Sequence, residues 1–313
     1  MIVRYSKNPF FQAVDIAFHN RWRIILFIII AEIPYTLYHT LGIGWVKLPV
    51  VPVTILGGAL AIFLGFRNSS AYDRWWEARK VWGAIVNDSR SFTVFVLSYF
   101  KSENAAEKEE IKKLQKVLIY RHIGWLYTLK SHLRKIHNEQ EIKEWYSDKD
   151  QKYLKGKTNI PAQTLFLQQQ DLAAAYDKGW MSDYRYTEMG RLISRMYDWQ
   201  GKCERIKNTV FPFYYNYYTQ LFLWVFTLCL PFALVPLMGW IALPISVAIS
   251  FVFSILEKSG LVTENPFEGR AADTPMKTLC RSIEIDLREM LGDSNIPGPL
   301  PTKKGRFGVL YKE

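Results

Sequence analysis

A chain of 313 residues with 49% hydrophobic and 15% aromatic side chains has too many groups to bury for low-complexity disorder, and its formal charge of +11 calls for an explanation. Its three cysteines, Cys203, Cys229 and Cys280, are far apart and form no CxxC pair, which argues against a disulfide scaffold or a structural zinc site. The near-zero mean hydropathy averages two unlike kinds of segment.

Residues 1–9 are mildly basic but contain no compact apolar core with a small-residue cleavage site, so no cleaved signal peptide is expected there. After Arg21, Trp22 and Arg23 the chain is apolar from Ile24 to Ile43, interrupted by Glu32 and Pro34, and apolar again over 50–66. It turns charged and amphipathic over 67–208, and a second apolar block covers 217–240 and 241–256. A bilayer crossing needs about 20 mostly apolar residues, so the pattern predicts four spans in two hairpins. The first and third apolar blocks are too long and too aliphatic for core helices of a soluble fold.

Short turns near 42–45 and 236–240 carry Trp45 and Trp240, residues suited to the headgroup interface. Positive charge flanks the outer ends of the hairpins, at Arg21 and Arg23, at Arg67, Arg74, Arg79 and Lys80, and at Lys202, Arg205 and Lys207. The positive-inside rule then puts both termini and the middle segment in the cytoplasm of a multi-pass protein of the cell (inner) membrane. The expected division is a cytosolic N-terminal segment 1–20, a transmembrane hairpin 21–66, a cytosolic helical domain 67–210, a second hairpin 211–256 and a cytosolic C-terminal segment 257–313.

In the middle segment, Ile111, Leu114, Leu118, Leu126, Leu129 and Leu133 recur at helical steps among lysines and glutamates and predict a helix over 107–136. Residues 149–157 read as a lysine-rich linker, and Asn159, Ile160 and Pro161 as the cap of a helix running to Ala175. No strand pattern or internal repeat is visible, so the fold class is all-α.

No Walker loop, GxGxxG turn, HExxH helix or GxSxG elbow is present, and no enzyme activity, metal or cofactor is expected. His122, His132 and His137 read as a solvated helix face, since no carboxylate or cysteine spacing completes a metal site. Positive charge has a topological explanation, which leaves no need for nucleic acid as a partner. Glu32 is the clearest ionisable group at membrane depth; its expected role is an inter-helix ion pair or hydrogen bond. The aromatic run 210–218 reads as an interfacial belt leading into the third span.

The most informative stretch is 52–83. Gly57, Ala61, Gly65 and Ser69 form a small-residue stripe that lets helices approach closely, and Gly58, Ile62, Phe66 and Ser70 form its neighbour. Several copies around an axis would stack Ile62 and Phe66 as apolar rings, the arrangement of a constriction that gates by dewetting. The plainer alternative is that both residues pack against lipid or an adjacent helix.

The run FLGFRNS…YDRWWE at 63–77, PFALV at 231–235 and NPF at 265–267 resemble the bestrophin family of pentameric ion channels, in a compact bacterial form. The resemblance covers most of the chain. It implies an integral membrane protein with four transmembrane helices per subunit, a cytosolic helical bundle and a pentameric barrel whose second spans line a central pore. Matched on the Leu-Gly-Phe anchor, the hydrophobic neck falls on Ile62 and Phe66, with Gly58 where the family carries a bulkier apolar ring. The family's cytosolic aperture falls on Tyr184. Where animal members clasp calcium after Asn-Pro-Phe, only Glu268 and Asp273 remain and Arg270 intrudes. No calcium activation is expected there, and Asn265, Pro266 and Phe267 read as a structural turn. The resemblance implies a chloride-type anion channel; a monovalent-cation channel of the same fold and a non-conducting membrane scaffold stay open. Membrane lipids, further copies of the chain and monovalent ions are the implied partners.

Overall fold

The computed structural model describes residues 2–5, 9–136, 139–209, 213–305 and 309–311. Helices α1 (Pro9–His19) and α2 (Arg21–Tyr35) meet at Asn20, whose amide donates to the Ile16 carbonyl at 2.8 Å and whose oxygen accepts from Lys258 at 2.9 Å. Pro34 has no amide proton to give, and just beyond it α2 widens into a π-helical turn over Thr36–Thr40.

Helix α3 (Val50–Tyr99) is 50 residues long, about 75 Å at 1.5 Å per residue. Pro52 lies in its first turn, where amides have no acceptor within the helix, so the proline costs no bond. The helix runs without a break across the 66/67 boundary drawn from hydropathy. Its buried positions, among them Val53, Gly57, Leu60, Leu64, Arg67, Ala71, Ala78, Trp82, Ile85, Ser89, Phe92 and Val96, follow one stripe from end to end.

Two apolar clusters share that stripe. In the first, Val53, Leu60 and Leu64 meet Leu223, Phe226, Leu230 and Ala233 of α9 (Phe213–Met238). Helix α9, a 3-10 turn at Gly239–Ile241 and α10 (Ala242–Thr263) form the second apolar pair, packed on α2 and α3. Among the described residues, three helical stretches are long and apolar enough to cross a membrane, Arg21–Thr40, Gly44–Tyr99 and Tyr214–Thr263, the last spanning α9 and α10. Pro236 leaves the Phe232 carbonyl without its helical donor, and the Leu48 amide takes that place at 3.2 Å, fastening the entry of α3 to α9.

The second cluster gathers Ala78, Trp82, Ile85 and Phe92 with α4 (Ala105–Leu133), α7 (Ile160–Asp177), α8 (Asp183–Asn208) and α11 (Met276–Leu291). Helix α4 is its axis and is buried on every side from Leu118 to Ser131 apart from Tyr120. Arg121 donates to both oxygens of Asp150 at 3.0 and 3.1 Å and to Asp171 at 2.7 Å, which ties α4 to α6 (Asp148–Leu154) and α7. Tyr127 donates to Glu284 of α11 at 2.6 Å, and burial pushes its hydroxyl pKa up.

Two expectations are corrected. The lysine-rich stretch 149–157 is not a plain linker, because Ser147 caps α6 by accepting the Asp150 amide and Leu154 anchors it in the core; α5 (Glu139–Trp145) precedes it. Nor is the chain wholly helical, since β1 (Ile2–Tyr5), β2 (Lys303–Lys304) and β3 (Val309–Tyr311) form an antiparallel sheet in the order β1-β3-β2. Strands of two to four residues are too short to show alternation.

Candidate functional site

Opposite its buried stripe, α3 leaves a second stripe uncovered along its whole length. Val51, Ile55, Gly58, Ile62, Phe66, Ser69, Asp73, Trp76, Lys80 and Asn87 lie on it, all exposed, in steps of three, four and seven residues. Ile62 and Phe66 are each 64% exposed, large for apolar side chains on a helix otherwise anchored in two cores. Gly58, Ile62 and Phe66 are therefore stacked on one face at intervals of about 6 Å. The stripe is apolar from Val51 to Phe66 and, Trp76 apart, polar beyond it.

The small residues divide. Gly57 is buried, and a Cβ there would come within 2.7 Å of the Phe226 ring, so it supplies the close approach of α3 to α9. Ala61 and Gly65 stand exposed beside Ile62 and Phe66, and among the described residues a Cβ at Gly65 would meet nothing within 4 Å.

Tyr184 projects from the first turn of α8 and is 90% exposed. Its neighbour Arg185 donates to the Tyr99 carbonyl at 3.1 Å, so Tyr184 sits beside the far end of α3, about 50 Å along the helix from Phe66. Arg205 and Arg195 of α8 pair with Glu77 and Asp88 of α3 at 2.5 and 3.3 Å and hold the two helices side by side.

Where the two clusters join there is a group of charges that hydropathy did not single out as a site. Arg67, directly after Phe66, lies between Glu257 of α10 and Glu264, which caps the end of that helix, at 3.6 and 3.7 Å, and Arg23 of α2 shares Glu257 at 3.6 Å. Arg23 also donates to the Ser254 hydroxyl at 2.6 Å. A charged residue at the end of each of three apolar runs, Arg23, Arg67 and Glu257, was the available signal; which would pair with which was not.

After α10, the Asn265-Pro266-Phe267 turn buries the Phe267 ring in the second core, and the Thr274 amide closes it on the Pro266 carbonyl at 2.9 Å. Of the two remaining carboxylates, Glu268 is held by Lys207 at 2.6 Å and Asp273 accepts the Arg270 amide at 3.0 Å, with its pKa raised by burial. Trp75 of α3 donates to the Ala272 carbonyl at 2.9 Å, so this loop also rests on the uncovered helix.

The remaining candidates move away from their expected places. Glu32 makes no inter-helix pair in the subunit: it is exposed, with no hydrogen bond or ion pair among the described residues. His132 lies 3.6 Å from Glu204, and His137 falls outside the described residues, as do 210–212 of the aromatic run. His122 is not on a solvated face but wholly buried, stacked on Phe92 at 4.8 Å and 2.9 Å from the Ser89 hydroxyl. Burial holds its pKa down to about 3 from the ordinary 6.5. Between those values the unfolded chain binds a proton that the folded domain refuses, so stability falls as pH drops through that window. Melting temperatures recorded across it should decline more steeply for the wild type than for a His122→Phe variant.

The profile of the Bacterial/Fungal Bestrophin protein family matches residues 16–289. The "Voltage-dependent anion channel-forming protein YneE" of Salmonella typhi is 33% identical over 269 residues, covering 85% of this chain and 84% of that one. The "Voltage-dependent anion channel-forming protein sll1024" of Synechocystis is 28% identical, covering 82% and 83%. A crystal structure of a bacterial bestrophin homologue from Klebsiella pneumoniae superposes with a TM-score of 0.79 at 28% identity, covering 88% of this chain and 99% of that one. The chain belongs to the bacterial and fungal bestrophin family.

Proposed function

We propose that this chain is one subunit of a homopentameric channel for passive flux of small monovalent anions, with the uncovered stripe of α3 lining the axis. The observation that carries the reading is that stripe: one continuous face of a 50-residue helix, apolar then polar, left bare by a subunit that covers the opposite face completely. Self-association buries such a face at low cost, and around a symmetry axis it becomes a pore wall.

In this arrangement Ile62 and Phe66 form the hydrophobic neck, Gly58 leaves its outer end wide, and Tyr184 rings the cytosolic exit. Four membrane helices, α2, the first part of α3, α9 and α10, put both termini and the second cluster on the cytoplasmic side of the inner membrane. Apolar rings coordinate no ion, so selectivity comes from dehydration and from charge at the mouths. A charge of +11 per subunit raises the anion concentration in an enclosed vestibule. Relatives named as anion channels support the same sign.

A second reading has one observation in its favour. Asp73 lies on the α3 stripe two turns past Phe66 and would set five carboxylates just beyond the neck, which favours cations. The test is the reversal potential of purified protein in a planar bilayer under a KCl gradient. The expected value is near the chloride equilibrium potential. A value near that of potassium selects the cation reading, and a silent bilayer removes the channel reading altogether.

A further inference from the structure

Arg67 is 1% exposed while Phe66, the residue before it, is 64% exposed. Consecutive helical residues point about 100° apart, so the direction of the buried guanidinium fixes the direction of the exposed ring. Glu257 of α10 and Glu264 at its C-cap, which flank Arg67, are seven residues apart, about 10 Å along the helix axis. One carboxylate therefore lies to each side of the guanidinium along the helix.

The surroundings allow no other place for the charge. Glu257 is 2% exposed and is shared with Arg23, whose side chain is 39% exposed, so the buried Arg67 has a carboxylate on either side and Glu257 has a second, partly exposed cation. Turning α3 would take Arg67 away from both carboxylates at once and leave uncompensated buried charge, the costly case for a buried pair. The helices are also in close contact here: Asn68 donates to the Leu256 carbonyl at 3.2 Å, and Gly260 of α10 faces its side chain without a Cβ in the way. Among the described residues the three guanidinium nitrogens make no hydrogen bond, so the clamp works through charge at 3.6–3.7 Å.

We propose that Arg67 is a positioning residue: held between Glu257 and Glu264, it sets the angle at which α3 presents Phe66, and Ile62 one turn away, to the pore axis. The inference rests on the pore reading given above. Through Arg23, the same clamp passes the position of α2 to the neck.

The test reads the direction of α3 rather than stability. In full-length protein carrying Cys229→Ala, Phe66→Cys and Phe63→Cys are each exposed to a pore-permeant methanethiosulfonate reagent in proteoliposomes. Phe63 stacks on Tyr215 at 4.3 Å and is half-buried, so position 66 should react faster. Cys203 and Cys280 are buried and are left in place.

With Arg67→Gln/Glu257→Gln added, which removes both ends of one buried pair, the ratio of the two rates should fall roughly tenfold, within the range of couplings between contacting residues. A variant that elutes and melts as the parent does but keeps the parental ratio overturns the proposal. If that variant does not assemble, Glu264→Gln, which keeps the Arg67–Glu257 pair, is read instead: a lowered ratio supports the proposal and an unchanged one overturns it. Wild-type currents are recorded on the same preparation. Their absence removes the pore reading, while the rate ratio still reports whether Arg67 orients α3.

Discussion

Replacing Ile62 and Phe66 together with alanine should raise single-channel conductance severalfold. Both side chains are exposed on the uncovered face of α3, so truncating them opens no cavity in either core. In the proposed pore, what changes is the width of the apolar neck and the barrier that dewetting sets there. The single Phe66→Ala variant should give part of the increase. Planar-bilayer recordings supply the measurement, and unchanged unitary currents would return both residues to a lipid-facing or packing role.

Asp150→Ala should destabilise the second helical cluster by about 3–5 kcal/mol, the range for a buried ion pair that loses one partner. Arg121 cannot shed its charge, and Asp150, 3% exposed, satisfies two of its nitrogens. Asp171 is the internal control. It contacts the same guanidinium at 2.7 Å but its side chain is 30% exposed, so Asp171→Ala should cost clearly less. Circular dichroism melts of the detergent-solubilised protein compare the two. Equal losses would mean that the domain does not depend on the buried arm of this triad.

The apolar runs, the close approach at Gly57 and the cap of α7 were legible because each is a local pattern: periodicity over a few turns, or the Asn159 side chain accepting the Ala162 amide. Helix α6 was not. It has only two buried residues, Asp150 and Leu154, among lysines, and depends on an arginine some thirty positions earlier. His122 was misplaced because it was grouped with His132 and His137, which sit among charged residues, whereas its own neighbours on α4, Leu118, Ile119, Ile123, Trp125 and Leu126, are apolar and buried, so that this part of the helix is an axis rather than a surface. Arg67 with Glu257, and Arg23 with Ser254, join positions about two hundred residues apart. Each charge could be seen bounding an apolar run, but its partner is set by helix packing.

Because α3 passes unbroken through both clusters, its length is locked in phase. One residue inserted between Phe66 and Ala78 would turn everything beyond it by about 100° and shift it by about 1.5 Å, exchanging buried for bare positions in one half. Substitutions along this helix can accumulate singly, whereas a change in length must come in whole-turn multiples, with about 18 residues, five full turns, the nearest that restores the angle closely. Lineages sharing this architecture should therefore vary in the loops flanking α3 and conserve the residue count within it.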